Sequence, residues 1–246
     1  MTKTLAEARA FVDALSAHDL PEGVQPFILP PHTALAAVRD QLPAGSRVLL
    51  GVQNAHWGTE GEATGEISMR MAADAGAALV EIGHSERRAQ FGETDETVSR
   101  KVAAAVATGL IPLICVGEPW SVRDAGQAEA HVDAQLTSAL SRMAPDEIGH
   151  VIVAYEPVWA IGSGGRPAAL DQIAPVIDRI RAVMGRQSAG GSARAVLYGG
   201  SVDQVNAASI LTVAGVEGLF VGRAAWSAAG FIELLEIVAA RDCVHV

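Results

Sequence analysis

Residues 154–164 read AYEPVWAIGSG and continue the apolar run HVIVAY at 150–155. The run is typical of a buried strand, and Pro157 ends it directly after the carboxylate of Glu156. The next residues are apolar and closed by glycines, which can serve as hinges. A helical pattern follows over residues 171–183, with one apolar face: Ile173, Val176, Ile177 and Ile180. This strand–loop–helix unit places one carboxylate at the mouth of a buried strand, beneath a loop that can close over it.

The same alternation of apolar runs and helical stretches extends along the chain. Seven short apolar runs, rich in β-branched residues, are separated by longer Ala-rich stretches: Val24–Leu29, Arg47–Gln53, Ala78–Gly83, Leu110–Gly117, His150–Glu156, Arg194–Tyr198 and Val216–Val221. Apolar strands that alternate with helices predict a parallel sheet covered by helices. A chain of 246 residues without a low-complexity linker suits a single α/β domain, residues 1–246.

Composition excludes several classes of partner. The net charge of −10 argues against nucleic acid and against an anionic membrane surface, since both need clustered Lys and Arg. Cys115 and Cys243 are too few for a disulfide framework, which favours a reducing cytoplasm. The first twenty residues read as an amphipathic helix, with Leu5, Ala8, Val12 and Leu15 on its apolar face, and not as a signal peptide. Charges and glycines interrupt every long apolar run, so no membrane span is expected.

Three further motifs lie directly after predicted strands: GHSERR at 83–88, YGGSV at 198–202 and VGRAAW at 221–226. Together with AYEPVWAIG, they resemble the signatures of the triosephosphate isomerase family, and the resemblance runs from about Leu5 to the C-terminus. It implies a (β/α)8 TIM barrel. The family's first strand ends in a GNWKMN-type motif that supplies an asparagine and a lysine. Here only Met1-Thr2-Lys3 precede the first helix, so we expect the chain to lack this strand, and Lys3 is not given the lysine's role.

The resemblance implies proton transfer between adjacent carbons, through an enediolate that interconverts a ketose and an aldose. Glu156 corresponds to the general base and His84 to the group that polarises the carbonyl. Triosephosphate isomerase is itself the established example of a neutral imidazole in that role. Glu86 is either a catalytic residue, shuttling protons or aligning the site, or one partner of a buried salt bridge with a nearby arginine. Ser85 is expected to cap the helix that follows.

Glycines mark the expected phosphate site. Backbone N–H groups approach an anion closely where no Cβ intrudes, and a helix N-terminus adds a favourable dipole. The predicted phosphate-binding residues come from three loops: Gly162, Ser163, Gly199, Gly200, Ser201, Gly222 and Arg223. Arg223 either contacts the phosphate or lies on the surface. No metal-ligand spacing and no dinucleotide fingerprint occurs, so neither metal nor cofactor is expected.

Some positions depart from the common family pattern and bear on the substrate. Arg223 replaces a glycine, Trp226 an aliphatic residue, and Gly165 the lysine that often ends the lid loop. These departures, with Ala55-His56-Trp57, resemble the branch that isomerises erythrulose phosphates in sugar-alcohol catabolism. The first expectation is nevertheless interconversion of dihydroxyacetone phosphate and glyceraldehyde 3-phosphate, as in glycolysis and gluconeogenesis. Erythrulose phosphate isomerisation is the alternative, and an inactive phosphate-binding relative is a third.

Residues 55–68 resemble the long loop that each subunit of the family inserts beside its neighbour's active site. A solvent-exposed loop is the plain alternative, but the rings of His56 and Trp57 favour an interface. The resemblance therefore implies a homodimer, with Trp57 and Thr64 among the contacts. The other expected partner is the substrate, a small phosphorylated sugar.

Overall fold

The computed structural model describes residues 1–162, 164–188 and 192–242. These residues form one parallel sheet of seven strands in sequence order. Its strands are β1 (Phe27–Ile28), β2 (Leu49–Val52), β3 (Leu79–Ile82), β4 (Ile111–Val116), β5 (Ile152–Tyr155), β6 (Ala195–Tyr198) and β7 (Gly218–Leu219). Each lies within one of the seven apolar runs. The predicted α/β barrel class is confirmed.

Helices connect successive strands, which is what a parallel sheet requires. The helices, of which the first precedes β1 and the last follows β7, are α1 (Leu5–Ser16), α2 (Leu35–Gln41), α3 (Met69–Asp74), α4 (Ser85–Phe91), α5 (Asp95–Ala107), α6 (Trp120–Asp124), α7 (Ala128–Leu140), α8 (Leu170–Gln187), α9 (Ala207–Ile210) and α10 (Ala228–Asp242). The apolar face predicted over 171–183 is buried in α8. On α1, Ala8, Val12 and Leu15 are buried, whereas Leu5, in the first turn, is exposed, contrary to the prediction. No helix of the described residues is both long and apolar enough to cross a membrane.

Side chains alternate between the two faces of each strand. The inner face carries its own small apolar cluster: Leu79, Leu113, Cys115, Ile152, Ala154 and Leu197. The outer face packs under the helices; on β3, Val80 and Ile82 belong to that larger core. Parallel register places Cys115 beside Ala154 on the next strand. Residues that follow the last inner side chain of each strand by two positions therefore also face inward, at the carboxyl ends of the strands.

The two outermost strands, β1 and β7, do not pair with each other. The ring of Phe27 on β1 stacks against Phe220, directly after β7, with the ring centroids 6.2 Å apart. The sheet is therefore curled until its edges approach. A closed barrel of this class has eight strands, and the described residues supply seven.

Candidate active site

A cavity of about 1200 Å³ runs along the gap between β1 and β7, from Arg194 and Glu217 at the amino ends of the strands to their carboxyl ends, where barrel enzymes place their active sites. Nearly all the residues singled out in the sequence line it: His84, Glu86, Glu156, Gly162, Gly199, Gly200, Ser201, Gly222 and Arg223. Trp226 also lines it. Ser163 lies outside the described residues. The structure thus collects the predicted catalytic and phosphate-binding residues, from four separate loops, around one space.

Glu156 occupies the centre of this site. It follows β5 on the inner face and is only 2% exposed. The Ser85 backbone N–H donates to its Oε2 at 3.2 Å, and its Oε1 lies 3.0 Å from Nε2 of His84. A Cβ at Gly199 would lie 3.1 Å from Cγ of Glu156, so the glycine leaves just enough room for this side chain. The carboxylate is buried, anchored by two donors, and beside the cavity.

His84 caps the helix that begins at Ser85. Its Nδ1 accepts the backbone N–H of Glu86 at 3.2 Å, so the predicted capping role of Ser85 was wrong and His84 has it. The reason is local geometry, because a ring nitrogen at the N-cap position reaches the first free amides of the helix. With Nδ1 accepting, the proton of a neutral ring belongs on Nε2, which then faces Glu156.

Two opposing effects act on the ionisation of His84. Burial alone lowers the pKa of the imidazole, whereas the hydrogen bond and charge of Glu156, followed by the charge of Glu81, raise it to about 9. Protonating Nδ1 would point two N–H groups at each other, because Glu86 already donates there. We therefore assign the neutral Nε2–H form, in which the ring can donate one hydrogen bond to a carbonyl oxygen.

The two arginines of GHSERR hold the strand end in place. The guanidinium of Arg88 donates to the carbonyl of Gly83 at 2.8 Å, and the N–H of Gly83 donates to Glu93 at 3.2 Å. Glu93 is buried, and it also pairs with Arg87 at 2.8 Å and with Lys101 at 3.1 Å. Both backbone groups of Gly83 are therefore fixed by charged partners, directly before His84.

Glu86 was expected to be either a catalytic residue or one partner of a buried salt bridge with an arginine. Its side chain is exposed, lines the cavity, and has no ion pair among the described residues. A buried salt bridge with an arginine is therefore wrong for this residue, because Arg87 turns to Glu93 and Arg88 to Asp95. Its place in the cavity leaves proton shuttling or alignment as a prediction.

A second buried carboxylate anchors the start of the lid loop. Glu118 is fully buried and accepts hydrogen bonds from the indole N–H of Trp159 at 2.8 Å and from the Tyr155 hydroxyl at 3.2 Å. Arg123 pairs with the Glu118 carboxylate at 3.2 Å, and the backbone carbonyl of Glu118 accepts the N–H of Val158 at 3.1 Å. The first residues after Glu156 are thus held to the end of β4, which fixes the direction in which the loop leaves the sheet.

Arg223 connects the last loop to the lid. Its guanidinium donates to the carbonyl of Gly162 at 2.8 Å, and the side chain remains exposed. Gly162 has φ of +86°, a conformation that favours glycine. Arg223 thus lies on the surface, one of the two alternatives left open, and in addition it spans the mouth of the cavity and binds the lid backbone.

Residues 53–68 leave the sheet after β2. Lys101 donates to the side chain of Asn54 at 2.7 Å, which ties the base of this loop to Glu93. Further along, the rings of His56 and Trp57 stack with their centroids 4.1 Å apart, and Thr64 is exposed. The loop is thus braced at its base and presents its tip to solvent in the single chain.

Several charged residues of the site were missed in the sequence. Glu81 lies inside β3, and Glu118 comes two residues after the end of β4, directly after the apolar run 110–117. A carboxylate within or directly after an apolar strand is the signal that would have found both. The pairing of Lys101 with Glu93 and Asn54 had no such signal, because it joins residues far apart in the sequence.

Comparisons with known proteins agree with this geometry. Residues 1–238 match the family model described as triosephosphate isomerase. An L-erythrulose-1-phosphate isomerase of Mycolicibacterium smegmatis is 47% identical over 243 residues, covering 98% of this chain and 90% of the relative. Proteins of the same name from Mesorhizobium japonicum and Rhizobium meliloti are 46% and 44% identical, covering 96% and 97% of this chain and 92% and 94% of the relatives.

Proposed function

Because the chain belongs to the triosephosphate isomerase family, we propose that it isomerises L-erythrulose 1-phosphate, with Glu156 as the general base. Family and relatives together make it an isomerase of the aldose–ketose type that acts on a small phosphosugar. One observation carries the role of Glu156: its buried carboxylate lies between the Ser85 amide and His84 Nε2, at the cavity where the glycine loops meet.

The reaction begins with proton abstraction from the carbon beside the substrate carbonyl. The carboxylate of Glu156 takes that proton, and Nε2–H of His84 donates a hydrogen bond to the carbonyl oxygen as it gains charge. Nε2–H of His84 gives its proton to the former carbonyl oxygen and takes one back from the neighbouring hydroxyl, whose oxygen becomes the new carbonyl. The carboxylic proton of Glu156, which exchanges with solvent, is then delivered to the former carbonyl carbon, and the isomer forms. Glu156 must swing away from Ser85 and His84 to reach the substrate, and this motion frees the His84 N–H for the carbonyl.

Glycines from separate loops would bind the phosphate. Gly199, Gly200 and Ser201 follow β6, Gly222 follows β7, and Gly162 lies in the lid. Their backbone N–H groups can approach phosphate oxygens without a Cβ in the way. Because the chain has a net charge of −10, such local donors have to supply the attraction for an anion. Loops after the last two strands are the usual phosphate site of this barrel.

Erythrulose 1-phosphate is proposed as the substrate on two grounds: the relatives' names, and the residues at positions 223 and 226. Arg223 and Trp226 lie at the cavity, and Arg223 narrows its mouth by binding the lid at Gly162. Triose phosphate is the second candidate, favoured by the description of the matching family model. In erythrulose 1-phosphate the same proton shift moves the carbonyl from C2 to C3. Because C3 carries a hydroxymethyl group, the product is again a ketose, an erythrulose 4-phosphate, so the proton shift of an aldose–ketose isomerase here joins two ketoses.

The test compares kcat/KM for erythrulose 1-phosphate and dihydroxyacetone phosphate, in the wild type and in Arg223→Gly. We expect the wild type to prefer the four-carbon substrate and the glycine variant to lose at least about tenfold of that preference, the scale of one hydrogen bond from a charged group. Arg223→Lys keeps the charge and serves as the matched control. A wild-type preference for the triose, unchanged by Arg223→Gly, would assign the triose reaction instead.

The same experiment separates the third candidate, a phosphate-binding protein without catalysis. An inactive relative would turn over neither substrate while still binding a phosphate-bearing substrate analogue. Turnover of either one excludes it.

We also propose that the protein is a homodimer through the loop of residues 55–68. The loop is braced at its base by Lys101 and Asn54, while its tip, with Thr64, is exposed. A stacked ring pair, His56 and Trp57, gives this loop the aromatic surface typical of interfaces. Sedimentation velocity should give a dimer for the wild type and a monomer for Thr64→Arg, with Glu236→Gln on α10 as a control. A monomeric wild type would refute the proposal.

A further inference from the structure

Glu81 is a carboxyl inside the sheet, at a place where apolar side chains are the rule. It lies on β3 between Val80 and Ile82, which face the outer core, so its own side chain faces inward with Leu79. It is 7% exposed, and what remains exposed borders the catalytic cavity. One of its oxygens is 3.8 Å from Nε2 of His84. It is thus a second buried carboxyl beside the histidine that Glu156 also contacts.

The groups that face Glu81 are mostly acidic. Glu156 follows β5, Glu86 lies on α4, and Glu93 precedes α5, and the charge of each disfavours ionisation of Glu81. Its partner on β4 is Leu113, and the buried thiol of Cys115 on the same strand is close enough for the charge of Glu81 to raise its pKa. Among the described residues around it, His84 is the charged or ionisable group that favours the carboxylate.

Cations in the vicinity have other partners. Arg87 and Lys101 both pair with Glu93, and Arg88 pairs with Asp95. Within the described residues, Glu81 forms no ion pair with a lysine or an arginine. A buried carboxyl without a cationic partner is far more stable when it is protonated. Geometry therefore favours a neutral Glu81 next to a charged Glu156.

We propose that Glu81 is a positioning residue that works in its protonated form, and this inference rests on the proposed function of the site. While Glu81 is neutral, His84 faces a single carboxylate, that of Glu156, and its ring remains a neutral donor. When Glu81 ionises, its proton leaves to solvent and a second carboxylate lies 3.8 Å from Nε2 of His84. The Nε2–H is then drawn towards Glu81 instead of the substrate carbonyl, and the added negative charge opposes the developing enediolate.

The proposal gives the pH dependence a sign. Burial, followed by the charges of the neighbouring carboxylates against the opposing charge of His84, raises the pKa of Glu81 to about 8. Turnover should therefore fall as the pH rises past that value. The stabilisation that the protonated carboxyl contributes is complete below its ordinary pKa and is lost as the pH rises through the folded value. The wild type should lose stability over this window, relative to a variant that cannot ionise there.

The decisive variant is Glu81→Gln, which keeps the shape and stays neutral. kcat is measured from about pH 6 to about pH 9.5, with the exposed Glu236→Gln as control. We expect wild type and control to lose at least about tenfold of kcat across the alkaline half of this range, and Glu81→Gln to lose much less. An alkaline fall in Glu81→Gln equal to that of the wild type would overturn the proposal.

A second measurement does not need turnover. The ring nitrogens of His84 are followed by ¹⁵N NMR over the same range of pH. We expect the Nε2 resonance of the neutral ring to shift near the ionisation of Glu81 in the wild type, and to lack that shift in Glu81→Gln. Identical titrations would overturn the inference even if the chain is an active isomerase. Loss of the titration in Glu81→Gln, in a chain that turns over neither phosphosugar, would instead refute the proposed function and leave the coupling of Glu81 to His84 in place.

Discussion

Replacing Glu156 by glutamine should abolish most of the activity and also weaken the fold. The carboxylate now accepts from two donors, the Ser85 backbone N–H at 3.2 Å and, in our assignment, His84 Nε2–H at 3.0 Å. A glutamine has one carbonyl oxygen, so its NH₂ group must face one of these donors. A buried donor left without a partner costs about 1–3 kcal/mol. The unfolding free energy should fall by that amount.

The catalytic loss should be larger, since the amide cannot take a proton. Removing a general base costs roughly 10²- to 10⁴-fold in kcat. Binding of a phosphate-bearing substrate analogue should change much less, because the glycine loops that would hold phosphate are untouched. The assay combines kcat and KM for erythrulose 1-phosphate, analogue binding, and urea unfolding, with the exposed Glu236→Gln as control.

Two results would refute this reasoning. A folded Glu156→Gln variant that keeps kcat within about tenfold of the wild type would show that another group is the base. An unchanged unfolding free energy would show that His84 does not donate through Nε2, because an accepting ring would bind the glutamine NH₂ and leave no donor unpaired.

Three further predictions concern the surroundings of the site. In Gly199→Ala the new Cβ would lie 3.1 Å from Cγ of Glu156, so the base must shift; kcat should fall about tenfold or more with little change in KM, and equal kcat would refute the contact. Trp159→Phe removes the 2.8 Å hydrogen bond to Glu118 and should lower the unfolding free energy by about 1–3 kcal/mol. It should also reduce kcat/KM, because the lid is held less firmly, and an unchanged kcat/KM would show that this hydrogen bond does not control the lid. An added N-terminal segment designed as an apolar strand should pair with the free edges of β1 and β7 and raise the melting temperature and activity, whereas equal values would show that the open edges are compensated elsewhere.

The fold could be predicted from the sequence because each buried strand is a short run of apolar residues. An apolar run such as Leu110–Gly117 needs no partner to be recognised, and the structure places β4 within it. The motifs also located Glu156, His84 and the glycines, since each follows a strand and the carboxyl ends of parallel strands share one edge. These features depend on residues close together in the chain.

The remaining features depend on residues far apart. The side of β3 that Glu81 faces is set by strand register and not by its neighbours in sequence. The Lys101–Glu93 pair, its link to Asn54, and the bond from Arg223 to Gly162 exist only after the chain has folded. The cap at His84 was misassigned because a serine is the commoner cap, while the backbone here gives the position to the preceding residue.

The central claim is that this chain moves a proton between C3 and C2 of a phosphorylated four-carbon ketose. The most direct test incubates erythrulose 1-phosphate with the protein in deuterated water and follows the sugar by NMR. We predict an erythrulose 4-phosphate that carries solvent deuterium on the carbon that was C2, and no such product with Glu156→Gln. Absence of any isomer, or an isomer that Glu156→Gln forms as fast as the wild type, would contradict proton abstraction by Glu156.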